Sequence, residues 1–207
     1  MNKNRKIIIL SVLVLSIIIV GYILYNKWLE SKTGIVSFEN VLEQKIDGNK
    51  YIENKEAGLK FVVPEGWEIS KDATGLIMHT PDFDFFSEEL FYVPKNGCWI
   101  EVYAENQKEG SIYDLNYSYL KDKIASNYCS RYQNDEQKIC IIEEISGITG
   151  IRDNNFINEG ENPGIFISIN IPYNNIIYSF YSHLFGKDKE SCLQEFNNFL
   201  KTVIIKK

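Results

Sequence analysis

Histidine is scarce in this chain, with His79 and His183 the two present among 207 residues. The patterns that pair a nucleophile with a base or cradle a phosphate are missing: no G-x-S-x-G, no P-loop, no H-E-x-x-H. Zinc spacing is missing too, since the cysteines form no C-x-x-C and the histidines stand far apart. No catalytic residue, cofactor or metal site is therefore assigned. Internal repeats and low-complexity tracts are also lacking. Basic charge is thin beyond the amino terminus: the first 32 residues hold five of the 22 basic and one of the 28 acidic side chains, so the remainder carries a net charge of −10. A field of that sign repels phosphate backbones, which excludes nucleic acid as a partner.

What is present begins with Ile7 to Tyr25, nineteen residues without a charge. At ~1.5 Å rise per residue this run matches a hydrocarbon core of ~30 Å. Lys3, Arg5 and Lys6 precede it closely, while Lys27, Glu30 and Lys32 follow with little net charge. Basic flanks stay in the cytoplasm. The expected layout is a cytoplasmic stretch over 1–6, a transmembrane helix over 7–25 embedded in the lipid bilayer, a stalk over 26–50 and an extracytoplasmic domain over 51–207. A cleaved signal peptide would need a shorter apolar run and a small-residue site, and neither is there.

All four cysteines, Cys98, Cys129, Cys140 and Cys192, fall on the outer side, where thiols oxidise and persist as disulfides. Three connectivities are open. The short connection between Cys129 and Cys140 favours that pair, leaving Cys98 with Cys192.

Along the outer chain, Leu59, Phe61 and Val63 alternate with Lys60 and Val62, the period of a strand with one face on a core. Pro64, Glu65 and Gly66 end it in a turn and deliver Trp67, read as a structural anchor covering the sheet rather than a ligand-stacking ring. Leu76 to Thr80 and Cys98 to Ala104 read as strands. Tyr113, Tyr117, Leu120, Ile124 and Tyr128 line one face of a helix running from Ser111 to about Tyr132. Ile139 to Ile145 is a further strand, with Gly147 and Gly150 bracketing a turn or bulge that leads to Ile151 and Arg152. Ile165, Ile167, Ile169 and Ile171, then Ile176, Tyr178 and Phe180, form an antiparallel hairpin with a four-residue loop, Pro172 to Asn175. Asp188 opens a last helix with Cys192, Phe196, Phe199 and Leu200 on one stripe. Thr202 to Ile205 is its last turn or a short closing strand. Five or six antiparallel strands with one helix midway and one at the end describe an α+β sandwich.

These pieces resemble the PsbP-like domain: an aromatic-x-x-Pro-x-Gly-Trp corner (Phe61, Pro64, Gly66, Trp67), a Thr-Pro-Asp-aromatic step (Thr80, Pro81, Asp82, Phe83), a Gly-x-x-Gly turn (Gly147, Gly150), and a terminal aromatic-x-x-x-Leu-x-Thr helix (Phe196, Leu200, Thr202). The resemblance spans roughly Tyr51 to Lys207. It implies an antiparallel sheet sandwiched by helices and a compact non-catalytic module for binding or assembly. The alternative is a secreted or membrane-tethered hydrolase of unrecognised type.

Two features of the segment after Pro81 are candidates for contact with a ligand. Asp82, Asp84, Glu88 and Glu89 offer oxygen ligands to calcium but lack the glycine turn and terminal glutamate of an EF-hand loop, so we read a solvated acidic surface. Phe83, Phe85, Phe86, Phe91 and Tyr92 form a dense aromatic set, either capping the sheet or exposed as an interaction loop for another envelope protein.

Overall fold

The structure is a computed structural model and describes residues 34–71, 73–85, 94–106, 114–132, 138–157, 164–184 and 188–206, together with the helical positions 16 and 20–22. Among the described residues no helix is long and apolar enough to cross a membrane. Most of the expected span 7–25, with 1–6 and 26–33, lies outside them.

The chain from residue 34 onward is mostly antiparallel sheet with a few helices, an α+β arrangement. The smaller sheet has the order β1-β2-β3-β13, built from β1 (Leu42–Ile46), β2 (Asn49–Asn54), β3 (Leu59–Val63) and β13 (Ile204–Ile205). The larger has the order β4-β5-β8-β12-β11-β10-β9, from β4 (Glu68–Lys71), β5 (Leu76–His79), β8 (Trp99–Asn106), β9 (Lys138–Ile145), β10 (Ile148–Ile157), β11 (Gly164–Tyr173) and β12 (Ile176–Leu184). A ribbon of β6 (Asp84–Phe85) and β7 (Pro94–Asn96) stands apart from both. Helix α1 covers Asp114–Ala125, followed by a 3-10 turn at Tyr128–Tyr132, and helix α2 covers Lys189–Thr202.

Three hairpins share one turn chemistry. Asp47-Gly48, Ser146-Gly147 and Asn174-Asn175 all take positive φ, the two-residue turn whose twist matches that of the flanking strands. The third corrects the expected four-residue loop, because Pro172 and Tyr173 still pair with Ile177 and Ile176. Proline is tolerated there since the β10 ladder ends at Asn170, so no donor is needed on that side. The turn or bulge expected between Gly147 and Gly150 is a turn at Ser146-Gly147, and Gly150 lies within the long strand β10.

The expected stalk gives its second half to the domain. Val36 and Phe38 are buried, the Val36 N–H donates to the Ala104 carbonyl at 2.8 Å, and Ile35 bridges Glu105. Residues 42–50 form the β1–β2 hairpin. Every residue of β1 is exposed, so no apolar alternation marks it as a strand.

Between the two sheets lies one core. Phe199 of α2 meets Phe61 of β3 at 5.5 Å and Phe180 of β12 at 5.9 Å between ring centroids, so one ring touches both sheets. Thr202 fixes the end of the helix, accepting from the Val62 N–H at 3.1 Å and donating to the Phe199 carbonyl at 2.7 Å. β13 then closes on β3, which decides the alternative left open for Thr202 to Ile205. The buried Tyr178 hydroxyl donates to the Ala57 carbonyl at 2.6 Å, a second tie from the larger sheet to the smaller. Arg152 is the charged group of this interior, 9% exposed, donating to Asn197 of α2 at 2.9 Å and to Asn154 at 3.1 Å, with Glu143 at 3.5 Å.

Disulfides join Cys98 to Cys192 and Cys129 to Cys140, the pairing favoured by the short connection. The first crosses 94 residues and fastens α2 to the start of β8; the second crosses 11 and fastens the 3-10 turn to β9. Replacing Cys98 and Cys192 together by alanine is expected to lower the unfolding free energy by about 2–5 kcal/mol, and Phe199→Ala by about 3–5 kcal/mol, as read by urea titration. A loss below 1 kcal/mol for Phe199→Ala would contradict its bridging role.

Candidate functional site

Alternation along β8 sends Ile100, Val102 and Ala104 into the core and leaves Trp99, Glu101, Tyr103 and Glu105 on the opposite face. Register carries this face across the sheet. Tyr181 lies opposite Glu101, Ser179 opposite Tyr103 and Ile177 opposite Glu105, while Phe166 and Ser168 of β11 lie opposite His183 and Tyr181. Helix α1 packs on the same face over β10 and β11, held to the β11–β12 turn where the Asn175 N–H donates to the Tyr117 hydroxyl at 3.3 Å. Among the described residues, α1 covers one side of this face and leaves it more open over β8 and β12.

On the open part, seven rings touch in sequence. His79 meets Phe83 at 5.4 Å, Phe83 meets Trp99 at 5.8 Å, and Trp99 stacks on His183 at 4.8 Å. His183 meets Phe166 at 4.6 Å, Phe166 stacks on Tyr181 at 5.8 Å, and Tyr181 meets Tyr103 edge-on at 5.6 Å. Two adjoining hollows lie over this run. One, of about 480 Å³, is lined by Glu101, Tyr103, Glu105, Phe166, Tyr181 and His183. The other, of about 220 Å³, shares Glu105 and Tyr181 and is walled by Tyr119 and Leu120 of α1. Together they make a groove.

Close approach by glycine makes room for one of its rings. A Cβ on Gly75 would stand 2.6 Å from the Tyr103 ring, so the bare backbone of Gly75 lets Tyr103 lie flat beside β5. The Tyr103 hydroxyl donates to Glu101 Oε2 at 3.0 Å. Burial holds the Glu105 carboxyl above its usual range and pushes the His183 imidazole down to about 4, so His183 is neutral at physiological pH.

Of the interaction loop expected from the sequence, Phe83 joins this groove. The Phe83 N–H donates to the Thr80 carbonyl at 3.1 Å, a turn that follows Pro81 and brings the ring onto Trp99. Phe85 is in β6, and Phe86, Phe91 and Tyr92 lie outside the described residues, as do Glu88 and Glu89 of the acidic run. Among the described residues no cluster of acids, histidines or cysteines has metal-holding geometry. Pro64, Gly66 and Trp67 form the expected corner, with the Trp67 N–H donating to the Pro64 carbonyl at 3.2 Å and a half-buried ring packed against the core.

That corner also lines a hollow of about 630 Å³ facing the β1–β2 turn. There Glu43 holds Lys71 at 2.6 Å and Lys50 at 2.9 Å, and these two partners keep its carboxyl below the ordinary range.

No protein-family model and no curated protein matches this chain. Among solved structures, it is similar to cyanobacterial PsbP (CyanoP) from Synechocystis sp., at 10% identity and a TM-score of 0.47, over 78% of this chain and 94% of that one. It is also similar to a Bacteroides thetaiotaomicron crystal structure, at 14% identity and a TM-score of 0.41, over 72% of this chain and 46% of that one, so it spans less than half of that protein's length. The chemistry of the groove stands on its own residues.

Sequence reasoning missed Tyr103, Phe166, Tyr181 and Glu105 as a set. The signal was there in the off-core positions of β8, β11 and β12, where aromatic and acidic residues replace the small polar ones expected of a solvated face.

The buried neutral imidazole sets a pH dependence. An unfolded His183 takes up its proton near 6.5 and the folded one near 4, so the unfolded state binds more protons between these values and stability falls as pH drops through that window. The loss amounts to roughly 3 kcal/mol at about 1.4 kcal/mol per unit. Glu105 acts in the opposite direction, since its folded form keeps a proton to higher pH than the unfolded form. Thermal melts of His183→Phe between pH 6.5 and 4 are expected to slope less than those of the parent, and those of Glu105→Gln to slope more.

Proposed function

We propose that the chain is a single-pass, membrane-anchored extracytoplasmic protein whose PsbP-like module acts without catalysis, recognising another envelope protein through the aromatic groove of its larger sheet. The observation that carries this is the run of seven touching rings on the sheet face away from the core, one buried at Trp99 and the rest partly exposed, beside two carboxylates. Aromatic side chains give large contact area at low entropic cost, which suits them to recognition.

A hydrolytic reading finds less support. Every cysteine is in a disulfide, which removes thiolate chemistry. The His79 Nδ1 is within 2.9 Å of the Thr80 carbonyl, and His183 stacks on Trp99 and meets Phe166 edge-on. Membrane attachment rests on the apolar run 7–25 and its basic amino-terminal flank, and the PsbP-like assignment on the corner, the Thr-Pro-Asp step and the terminal helix.

Two measurements bear on the proposal. Protease added to sealed right-side-out vesicles is expected to digest the domain, and full protection would reverse the orientation. A photo-crosslinking residue at Tyr103 in intact cells is expected to capture a recurrent protein that the same residue at exposed Glu190 on α2 does not. Equal capture from both positions, or none, would remove the groove as the docking face.

A further inference from the structure

Resting on that reading, we infer that the groove receives an arginine side chain of its partner, carried on an extended segment, with the guanidinium stacked on Tyr181 and ion-paired to Glu105.

The lining is the first argument. Among the described residues, those around the two hollows include Glu101 and Glu105 but no lysine or arginine, and His183 is neutral. Basic residues nearby are turned to other duties: Lys123 on α1 lies over the rings of Tyr119 and Tyr128, at 4.4 Å from each, and Lys121 over Tyr117 at 5.5 Å. Among the described residues the lining of the groove is therefore acidic and aromatic.

Glu105 is the second. It is half-buried, and among the described residues nothing hydrogen-bonds to its carboxylate or pairs with it. A carboxylate that has lost water without gaining a cation is destabilising, and its raised pKa has burial as its sole cause. An incoming cation would reverse both effects. Guanidinium suits the site better than ammonium, because it is planar, weakly hydrated, and able to stack on a ring while donating to a carboxylate.

Shape argues for a segment rather than a free small cation. The two hollows adjoin at Glu105 and Tyr181, so the groove extends beyond what one side chain fills. Glu101 and Glu105 lie on one face of β8, and four residues of strand span roughly 13 Å. An extended partner laid along β8 meets both carboxylates when its basic residues stand four apart.

The test uses the full-length chain in a non-ionic detergent and the acetylated, amidated peptide Arg-Ser-Thr-Ser-Arg, titrated by calorimetry. Its counterpart with both arginines replaced by citrulline keeps the shape and hydrogen-bonding side chain but carries no charge. The arginine peptide is expected to bind at least tenfold more tightly than the citrulline peptide. Glu105→Gln should remove most of that difference without lowering Tm, Glu101→Gln should remove a smaller part, and Glu43→Gln in the other hollow should leave it unchanged. Equal affinity of the two peptides, or an unaltered ratio in Glu105→Gln, would overturn the inference. Binding of acetyl-arginine amide as tight as that of the peptide would overturn the extended segment. If the peptides fail while Tyr103 still captures a partner in cells, the guanidinium is wrong and the docking face stands.

Discussion

The register between β8 and β12 governs both faces of the larger sheet. With Phe180 opposite Val102 and Tyr178 opposite Ala104, the core set of each strand points toward α2 and the smaller sheet. Every residue between them is then fixed on the other side. A slip of one residue in β8 would bring Tyr103 into the core and turn Val102 out to water, a change in burial of many kcal/mol. The aromatic groove is thus the necessary counterpart of the core. Phe199, Tyr178 and the Cys98–Cys192 disulfide strengthen this arrangement by tying α2 and the smaller sheet to the same two strands.

Much of this was legible from spacing. The alternation in β3, β8, β11 and β12 and the apolar stripe of α2 appear in the sequence at the positions where the structure places them, because one buried face imposes a period of two on a strand and near 3.6 on a helix. What escaped was what burial does not pattern. The β1 strand is exposed throughout and held by backbone pairing with β2, and β10 spends core-facing positions on Gly150, Arg152 and Asn154. Arg152 is accommodated by Asn197 and Glu143, partners distant in sequence that no local reading could supply. The groove escaped for a related reason: its rings come from four strands and the Thr80–Phe83 turn, and adjacency exists only once the sheet is assembled.

Helix α1 shows the same limit from the other direction. Its periodic tyrosines suggest an ordinary core-facing helix, yet it lies on the face that also carries the groove, and Tyr119 is largely exposed at the groove's edge. The Cys129–Cys140 disulfide holds the turn after this helix to β9. The wall of the groove is therefore positioned by covalent and hydrogen-bond ties at both of its ends, with less burial than supports α2.

The docking of residues 34–36 onto the end of β8 has a geometric corollary. Ile35 bridges Glu105, so residue 34 lies directly beside one end of the groove. For a polypeptide whose residue 25 is held at a bilayer surface, the intervening stretch of about ten residues reaches no farther than roughly 35 Å even when fully drawn out. Such a short leash would confine the encounter radius of that surface to the first few nanometres above the lipid headgroups, favouring neighbours that share the membrane over those diffusing freely beyond it.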